Sequence, residues 1–231
     1  MSDRFYYDGP LSLGPIDLEG PEAHHLAHVR RFAVEDRVVL FNGDGSQYLC
    51  EIREVGKKRV ALEVMGSESP IRELPFPLHL AVAMPKGDRG DYLLEKLVEV
   101  GATDFTPLST ERSVVKVDDS KLEKLQRQVI EASKQCGRNV LMKVHPVQRW
   151  SAWCASVTGP RFIAHPGGNT LEAASLEGCT IAIGPEGGFS DAEVELATQA
   201  GWSKVSLGAT ILRVETAAVV AAVLAARRTS R

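Results

Sequence analysis

The pattern of apolar and polar positions divides the chain into two blocks. Residues 37–41 (RVVLF) form a short apolar run, followed by Asn42-Gly43-Asp44-Gly45, residues that tolerate positive φ and mark a turn. Residues 48–53 and 59–65 then alternate between apolar and polar, with Lys57-Lys58 in the turn between them. Short alternating strands joined by tight turns over residues 21–65 predict a small β-barrel. Gly66-Ser67-Glu68-Ser69-Pro70, with Pro75 and Pro77 beyond it, predicts a linker.

From Leu78 the pattern changes. Residues 78–84 (LHLAVAM) read as a fully buried strand, and a helix is predicted over 91–100, closed by Gly101. Strand-like runs recur at 104–108, 161–164, 180–184 and 204–207. Between them, residues 121–136 place Leu122, Leu125, Val129, Ala132 and Cys136 on one helical stripe. Strands alternating with helices predict a mostly parallel α/β sheet. The last helix, 217–226, is apolar on every side and ends in Arg227-Arg228, which suit the negative end of its dipole. A helix without a polar face must be buried all round, and a second subunit is one way to bury it.

Composition narrows this picture. The 231 residues are 44% hydrophobic and 25% charged, ordinary values for a soluble globular protein. Four cysteines, Cys50, Cys136, Cys154 and Cys179, lie far apart with no CxxC pair and no Cys/His cluster at metal spacing. They read as small buried hydrophobes in a reducing compartment, and no metal is expected. The first residues lack a signal-peptide core and no apolar run reaches membrane-spanning length, so a cytoplasmic protein is expected. A net charge of −3 argues mildly against a nucleic-acid partner, unless the basic residues gather on one face.

Two segments can carry chemistry. Residues 181–183 lead into Gly184-Pro185-Glu186-Gly187-Gly188-Phe189-Ser190, and Ser190 to Glu193 has capping-box spacing for a following helix. Ligands of parallel sheets bind beyond the carboxyl ends of strands, where this loop must lie. Its glycines suit either a tight strand-to-helix turn or close approach of backbone to a ligand. The loop is neither a P-loop nor a GxGxxG fingerprint. The second segment, 205–217 (VSLGATILRVETA), is a strand, a glycine-containing apolar loop and the start of the last helix. Arg213 and Glu215 within it read first as a structural ion pair.

In this order, "IGPEGGFS" and "LGATILRVETAA" resemble the RsmE family of 16S rRNA uridine-N3 methyltransferases, within the SPOUT superfamily. Met84-Pro85-Lys86-Gly87-Asp88-Arg89, residues 95–101 (EKLVEVG), Thr110-Glu111-Arg112-Ser113 and Gln135-Cys136-Gly137-Arg138 agree with it. The N-terminal block, with His24-His25 and Val29-Arg30-Arg31 before "VVLFNGDG", resembles the family's PUA-like barrel. The resemblance covers nearly the whole chain. GPEGG alone is shared with other SPOUT enzymes, whereas the full ordered set is much more specific. The chain departs from the family's usual pattern at Gly90 and Arg31.

The resemblance implies an α/β fold: a PUA-like RNA-binding β-barrel over 1–70, then a SPOUT methyltransferase domain over 71–231 with a deep trefoil knot, a rare exception to unknotted connections. It implies a homodimer with its sites at the interface, S-adenosyl-L-methionine as cofactor, and 16S rRNA, within the 30S subunit, as substrate. The cofactor pocket would be lined by His165, Gly184, Pro185, Glu186, Gly187, Gly188, Leu207, Gly208, Ile211, Leu212, Arg213, Thr216 and Ala217. The target would be N3 of a uridine in the decoding region. That nitrogen must lose a proton, so a base or an electropositive site for the uracil anion is needed. Arg112 and Arg138 are candidates for the anion or the RNA, against ordinary salt bridges to Glu111 or Glu131. Glu186 and Glu215 are candidates for a base, against a role in orienting the loops. Arg4, His25, Arg30, Lys86 and Arg89 are candidates for RNA contact. His24 and His25 equally suit a place just ahead of a helix, and Lys57 to Arg59 read as solvated surface. Two other classes remain open: a SPOUT enzyme acting on tRNA or on a ribose hydroxyl, and a non-catalytic RNA-binding protein with a vestigial knot.

Overall fold

The computed structural model describes residues 3–171 and 178–227. The chain forms two compact units, Met1–Glu73 with Ser133–Leu141, and Leu74–Ala132 with Met142–Arg231. The short stretch 133–141 thus packs with the first unit although it lies in the middle of the sequence of the second.

The first unit is a curled five-stranded sheet of β1 (Arg4–Tyr6), β2 (Gly14–Glu19), β3 (Arg37–Phe41), β4 (Gln47–Val55) and β5 (Arg59–Glu68), in the order β1-β3-β4-β5-β2. Register shifts between β4 and β5, at Leu49/Cys50 and Ile52/Glu54, insert unpaired residues that bend both strands. The alternation seen in sequence holds: Cys50 and Ile52 on β4 and Val60, Leu62 and Val64 on β5 point into one core with Phe5, Leu18 and Leu26. Two expectations need correction. Residues 66–68 belong to β5, because Gly66 and Ser67 pair with Leu49 and Tyr48. His24 closes the short helix α1 (Gly20–His24) and His25 opens a π-helical segment to Val29, so both lie inside the helical stretch.

The second unit is a parallel sheet flanked by helices. Its strands are β6 (Leu78–Ala83), β7 (Asp104–Ser109), β8 (Lys143–Val144), β9 (Gln148–Arg149), β10 (Arg161–Thr170), β11 (Cys179–Ile183) and β12 (Ser203–Ser206), in the order β12-β10-β11-β6-β7-β8, with β9 also on β7. All five residues of β11 are buried, as are five of the six on β6. Continuous burial is what a central parallel strand covered on both faces requires. Helix α2 (Arg89–Val100) ends at Gly101, whose φ of 95° is open to glycine at low cost. Helix α3 (Asp119–Cys136) and the short α4 (Trp150–Trp153) follow, then α5 (Asp191–Gln199) and α6 (Val214–Ala226). Trp150, Trp202 and Phe189 cluster under the sheet, with Trp150 4.8 Å from Phe189 and 5.0 Å from Trp202 between ring centroids.

Helix α6 packs on α2, β6 and β11. It starts three residues earlier than the apolar run suggests, with Arg213 extended as its N-cap. One side, Ala218, Ala221, Ala222 and Ala225, is fully buried, while Val219, Val220 and Leu224 are half-exposed and Val223 is 37% exposed. Arg227 caps the helix; Arg228 lies outside the described residues. Of the cysteines, Cys50, Cys154 and Cys179 are buried, and burial pushes the Cys50 thiol up to about 11. Cys136 is exposed at the end of α3, contrary to its expected place on the apolar stripe.

Candidate active site

Three loops of the second unit leave the carboxyl ends of its strands β7, β11 and β12. The first, 184–190, links β11 to α5. Gly188 has a φ of 69°, and its N–H closes a turn on the Pro185 carbonyl at 2.8 Å. A Cβ at position 184 would lie 3.0 Å from the Phe189 ring, so glycine lets Phe189 fold back beneath the loop onto Trp150. Ser190 then caps α5 with the full capping box: the Glu193 N–H donates to Ser190 Oγ, and the Ser190 N–H donates to Glu193 Oε2 at 2.9 Å.

The second loop, 110–113 after β7, is stitched to the first. The Glu111 N–H donates to Glu193 Oε1 at 2.8 Å, and Arg112 Nη1 donates to the Gly187 carbonyl at 2.7 Å. Both oxygens of the buried Glu193 are therefore engaged by backbone N–H groups, which is how a buried carboxylate is tolerated. The capping role of Glu193 was legible in the sequence. Its second bond, to a loop 82 residues away, was not.

The third loop, 207–213, carries the apolar residues Leu207, Ile211 and Leu212. Gly208 has a φ of 143°, with open space where a Cβ would stand. Ile211 is 93% exposed, while Leu207 and Leu212 are half-buried. Thr216 is exposed and Ala217 is buried in the first turns of α6. His165 lies in a bulge of β10, residues 165–168, flanked by Ala164 and Asn169, which both pair with Val205. Gly168 is required there, because a Cβ would fall 2.5 Å from the Val205 backbone. The bulge thus lies across the strand that feeds the third loop, and His165 Nδ1 accepts from the Gly167 N–H at 3.1 Å.

Arg89 joins these elements. Gly87, with a φ of 65°, turns the chain after β6 so that Arg89 opens α2. Its Nη2 donates to Glu186 Oε1 at 3.2 Å, its Nη1 stands 4.0 Å from Glu215 Oε2, and its Nε donates to the Lys86 carbonyl at 3.2 Å. Arg89 thus links loop 184–190 to the first turn of α6, and the ion partner of Glu215 is Arg89 rather than Arg213, which corrects that expectation. Lys86 is exposed on the same turn.

The remaining candidates lie in the first unit and are engaged there. Arg138 is 4% exposed and its guanidinium binds Glu73, with Nε 3.1 Å from Oε2. The Glu73 pairing is an ion pair, as the salt-bridge alternative for Arg138 expects, though with a different carboxylate from the two considered. Arg4 Nη1 donates to Gln47 Oε1 at 2.9 Å, its Nη2 donates to Asn139 Oδ1, and its Cζ sits 4.9 Å over the Phe41 ring. Arg30 is paired with Asp3, and the His25 ring meets Phe5 edge-on at 5.8 Å. Arg59 is paired with Asp17 at 2.7 Å, while Lys57 and Lys58 are exposed beside it. No group of metal-ligating side chains occurs among the described residues.

The family model described as an RNA methyltransferase domain matches residues 72–226, and that described as an RNA methyltransferase PUA domain matches residues 18–65. Ribosomal RNA small subunit methyltransferase E of Bacillus subtilis is 32% identical over 223 residues, 89% of this chain and 87% of the relative. The protein of the same description from Synechocystis is 34% identical over 216 residues, 89% of this chain and 71% of the relative. A solved structure of a ribosomal RNA small subunit methyltransferase E from Neisseria gonorrhoeae, bound to S-adenosyl methionine, superposes with a TM-score of 0.91 at 30% identity, covering 97% of this chain and 96% of that one. A putative methyltransferase from Legionella pneumophila in complex with the cofactor SAM gives a TM-score of 0.92 at 32% identity, with coverage of 97% and 96%. With two family models in order along one chain, and relatives similar over nearly its whole length, the chain belongs to the ribosomal RNA small subunit methyltransferase E family, which joins a PUA domain to an RNA methyltransferase domain.

Proposed function

We propose that this protein is an S-adenosyl-L-methionine-dependent methyltransferase that modifies N3 of a uridine in the decoding region of 16S rRNA. The observation that carries this reading is the convergence of loop 184–190 and the first turn of α6, which follows loop 207–213, on Arg89, through Glu186 and Glu215. The relatives solved with the cofactor, alike over 97% of this chain, support the same ligand here.

The residues present fit that cofactor. Gly188 and Gly208 leave space beside backbone in both loops, and Ile211 offers an apolar side chain with almost nothing packed on it. Backbone and apolar contacts of this kind suit an adenosine, and Gly184, Pro185, Gly187, Leu207, Leu212 and Ala217 belong to the same two loops and the helix turn that follows. His165 and Arg213 stand at their margins. When bound, the cofactor supplies a methyl group activated on a sulfonium. The protein's part is to align that group with the nucleophile and exclude water. Arg112, exposed on the rim of loop 184–190, brings a guanidinium where negative charge on uracil would be stabilised.

The finer architecture follows the same line. Strand β12 lies at the sheet edge, yet the chain returns from it to pack α6 on β6 and β11 in the middle. A chain that doubles back across β10 in this way supports the trefoil knot. The half-exposed apolar side of α6, with Val219, Val220, Val223 and Leu224, supports a homodimer that covers it. We assign residues 1–70 to RNA binding and 71–231 to methyl transfer, with the 30S subunit as the natural substrate in the cytoplasm. Among the described residues no helix is long and apolar enough to cross a membrane.

The test is transfer of labelled methyl from S-adenosyl-L-methionine to 30S subunits or naked 16S rRNA prepared from cells lacking the modification. Incorporation into one and not the other identifies the substrate form. No incorporation into either contradicts the assignment.

A further inference from the structure

Glu215 is 6% exposed, yet its Oε2 has no hydrogen-bond partner among the described residues. Arg89 Nη1, 4.0 Å away, is too far to donate to it. Buried polar atoms are almost always paired, because an unpaired one pays its desolvation in full. The exception in the first turn after the apolar loop of the site leaves a buried carboxylate oxygen whose charge no hydrogen bond offsets.

Charge says which kind of ligand. The guanidinium of Arg89 stands between two carboxylates, 3.2 Å from Glu186 and 4.0 Å from Glu215. One positive charge faces two negative ones, and the cluster keeps an excess of one negative charge. Lys86 is close along the chain but exposed to solvent, and Arg112, hydrogen-bonded to the Gly187 carbonyl, is exposed as well. Water screens such exposed charges far more than it screens the buried Glu215. An excess negative charge opposes a second anion, so it disfavours a place for Glu215 beside a developing uracil anion. It favours a cation.

We propose that Glu215 is a specificity-determining residue: the negative charge it adds to the Arg89 cluster favours S-adenosyl-L-methionine, whose sulfonium is positive, over the spent S-adenosyl-L-homocysteine, whose thioether is neutral. The two ligands differ by a methyl group and one charge. This rests on the cofactor reading above and deepens it, giving the site a means to release its product once the charge is gone.

The test is calorimetric binding of both ligands to the full chain, without RNA. The native protein binds the sulfonium form more tightly. Glu215→Gln keeps size and a hydrogen-bonding oxygen but removes the charge, and shrinks the ratio of the two Kd values by at least about fivefold. Glu186→Gln shifts the ratio the same way. Arg89→Gln shifts it the opposite way, because it uncovers more negative charge. That reversal of sign separates an electrostatic role from a structural one, which would weaken both ligands alike. If Glu215→Gln does not fold, the opposed pair Glu186→Gln and Arg89→Gln decides the matter. A ratio unchanged in these variants, or all shifts in one direction, overturns the proposal while the cofactor reading stands. A native protein that binds neither ligand overturns both.

Discussion

Arg112 reaches from the loop after β7 to the carbonyl of Gly187, 2.7 Å away and 75 residues on in sequence. The bond fixes the Gly187-Gly188 turn from outside. Arg112→Lys keeps a positive charge but loses the planar fork. If Arg112 acts by positioning the loop, this variant weakens cofactor binding about tenfold, the worth of one charge-assisted hydrogen bond. If it acts on the uracil anion, cofactor affinity stays native and the rate of methyl transfer falls. Titration calorimetry beside a single-turnover assay separates the two.

Glu193 offers a prediction about stability. Its two oxygens hold the Ser190 and Glu111 N–H groups, and its own carbonyl accepts from Trp150 Nε1 at 3.2 Å. Glu193→Ala strands the buried Ser190 donor and the part-buried Glu111 donor and is expected to cost about 2–4 kcal/mol. Urea denaturation gives the value, and a loss below about 1 kcal/mol would show that the loops hold together without it.

His79 makes stability depend on pH. It lies on β6 with Nε2 2.8 Å from Thr106 Oγ1, and burial pushes its pKa down to about 4 from the usual 6.5. The folded protein resists the protonation that the unfolded chain accepts. The contribution is fully present above pH 6.5 and is lost as pH falls from there towards 4. At pH 5 the loss amounts to about 2 kcal/mol. His79→Gln removes this titration, so the stability difference between pH 7 and pH 5 should shrink by that amount. An equal pH dependence in both proteins would locate the effect elsewhere.

The apolar side of α6 bears on assembly. Val223 is 37% exposed at the end of a half-exposed apolar stripe. Val223→Glu places a charge there that a dimer would have to bury. Light scattering should show the native protein as a dimer and the variant shifted towards monomer. A variant dimer as stable as the native one would place the interface on another surface.

The sequence carried the outline of the fold because period and punctuation are local. The alternation of β4 and β5, the buried runs of β6 and β11, the Gly101 stop and the Ser190–Glu193 box each declare themselves within a few residues. The shortest elements, such as β1 with three residues, gave no such signal. Charged side chains were the harder part. Arg4, Arg30 and Arg89 read as candidates for RNA contact and Arg138 as a candidate for either an anion or a salt bridge, and each has a partner whose identity depends on tertiary folding, from Asp3 for Arg30 to Glu186 for Arg89. Arg138 and Glu73 are 65 residues apart, and no local pattern announces that pair. The ordered motifs were legible as a family pattern, because backbone-lined loops are specified by glycine placement rather than by a distant partner.

The central claim concerns one atom, and nucleoside mass spectrometry tests it most directly. 16S rRNA from cells lacking the modification is treated with the protein and S-adenosyl-L-methionine, digested to nucleosides, and compared with authentic methylated uridines. The account predicts a single new product, 3-methyluridine, mapping to the decoding region. A methyl group on ribose, on another base atom, or nowhere in the RNA would contradict it.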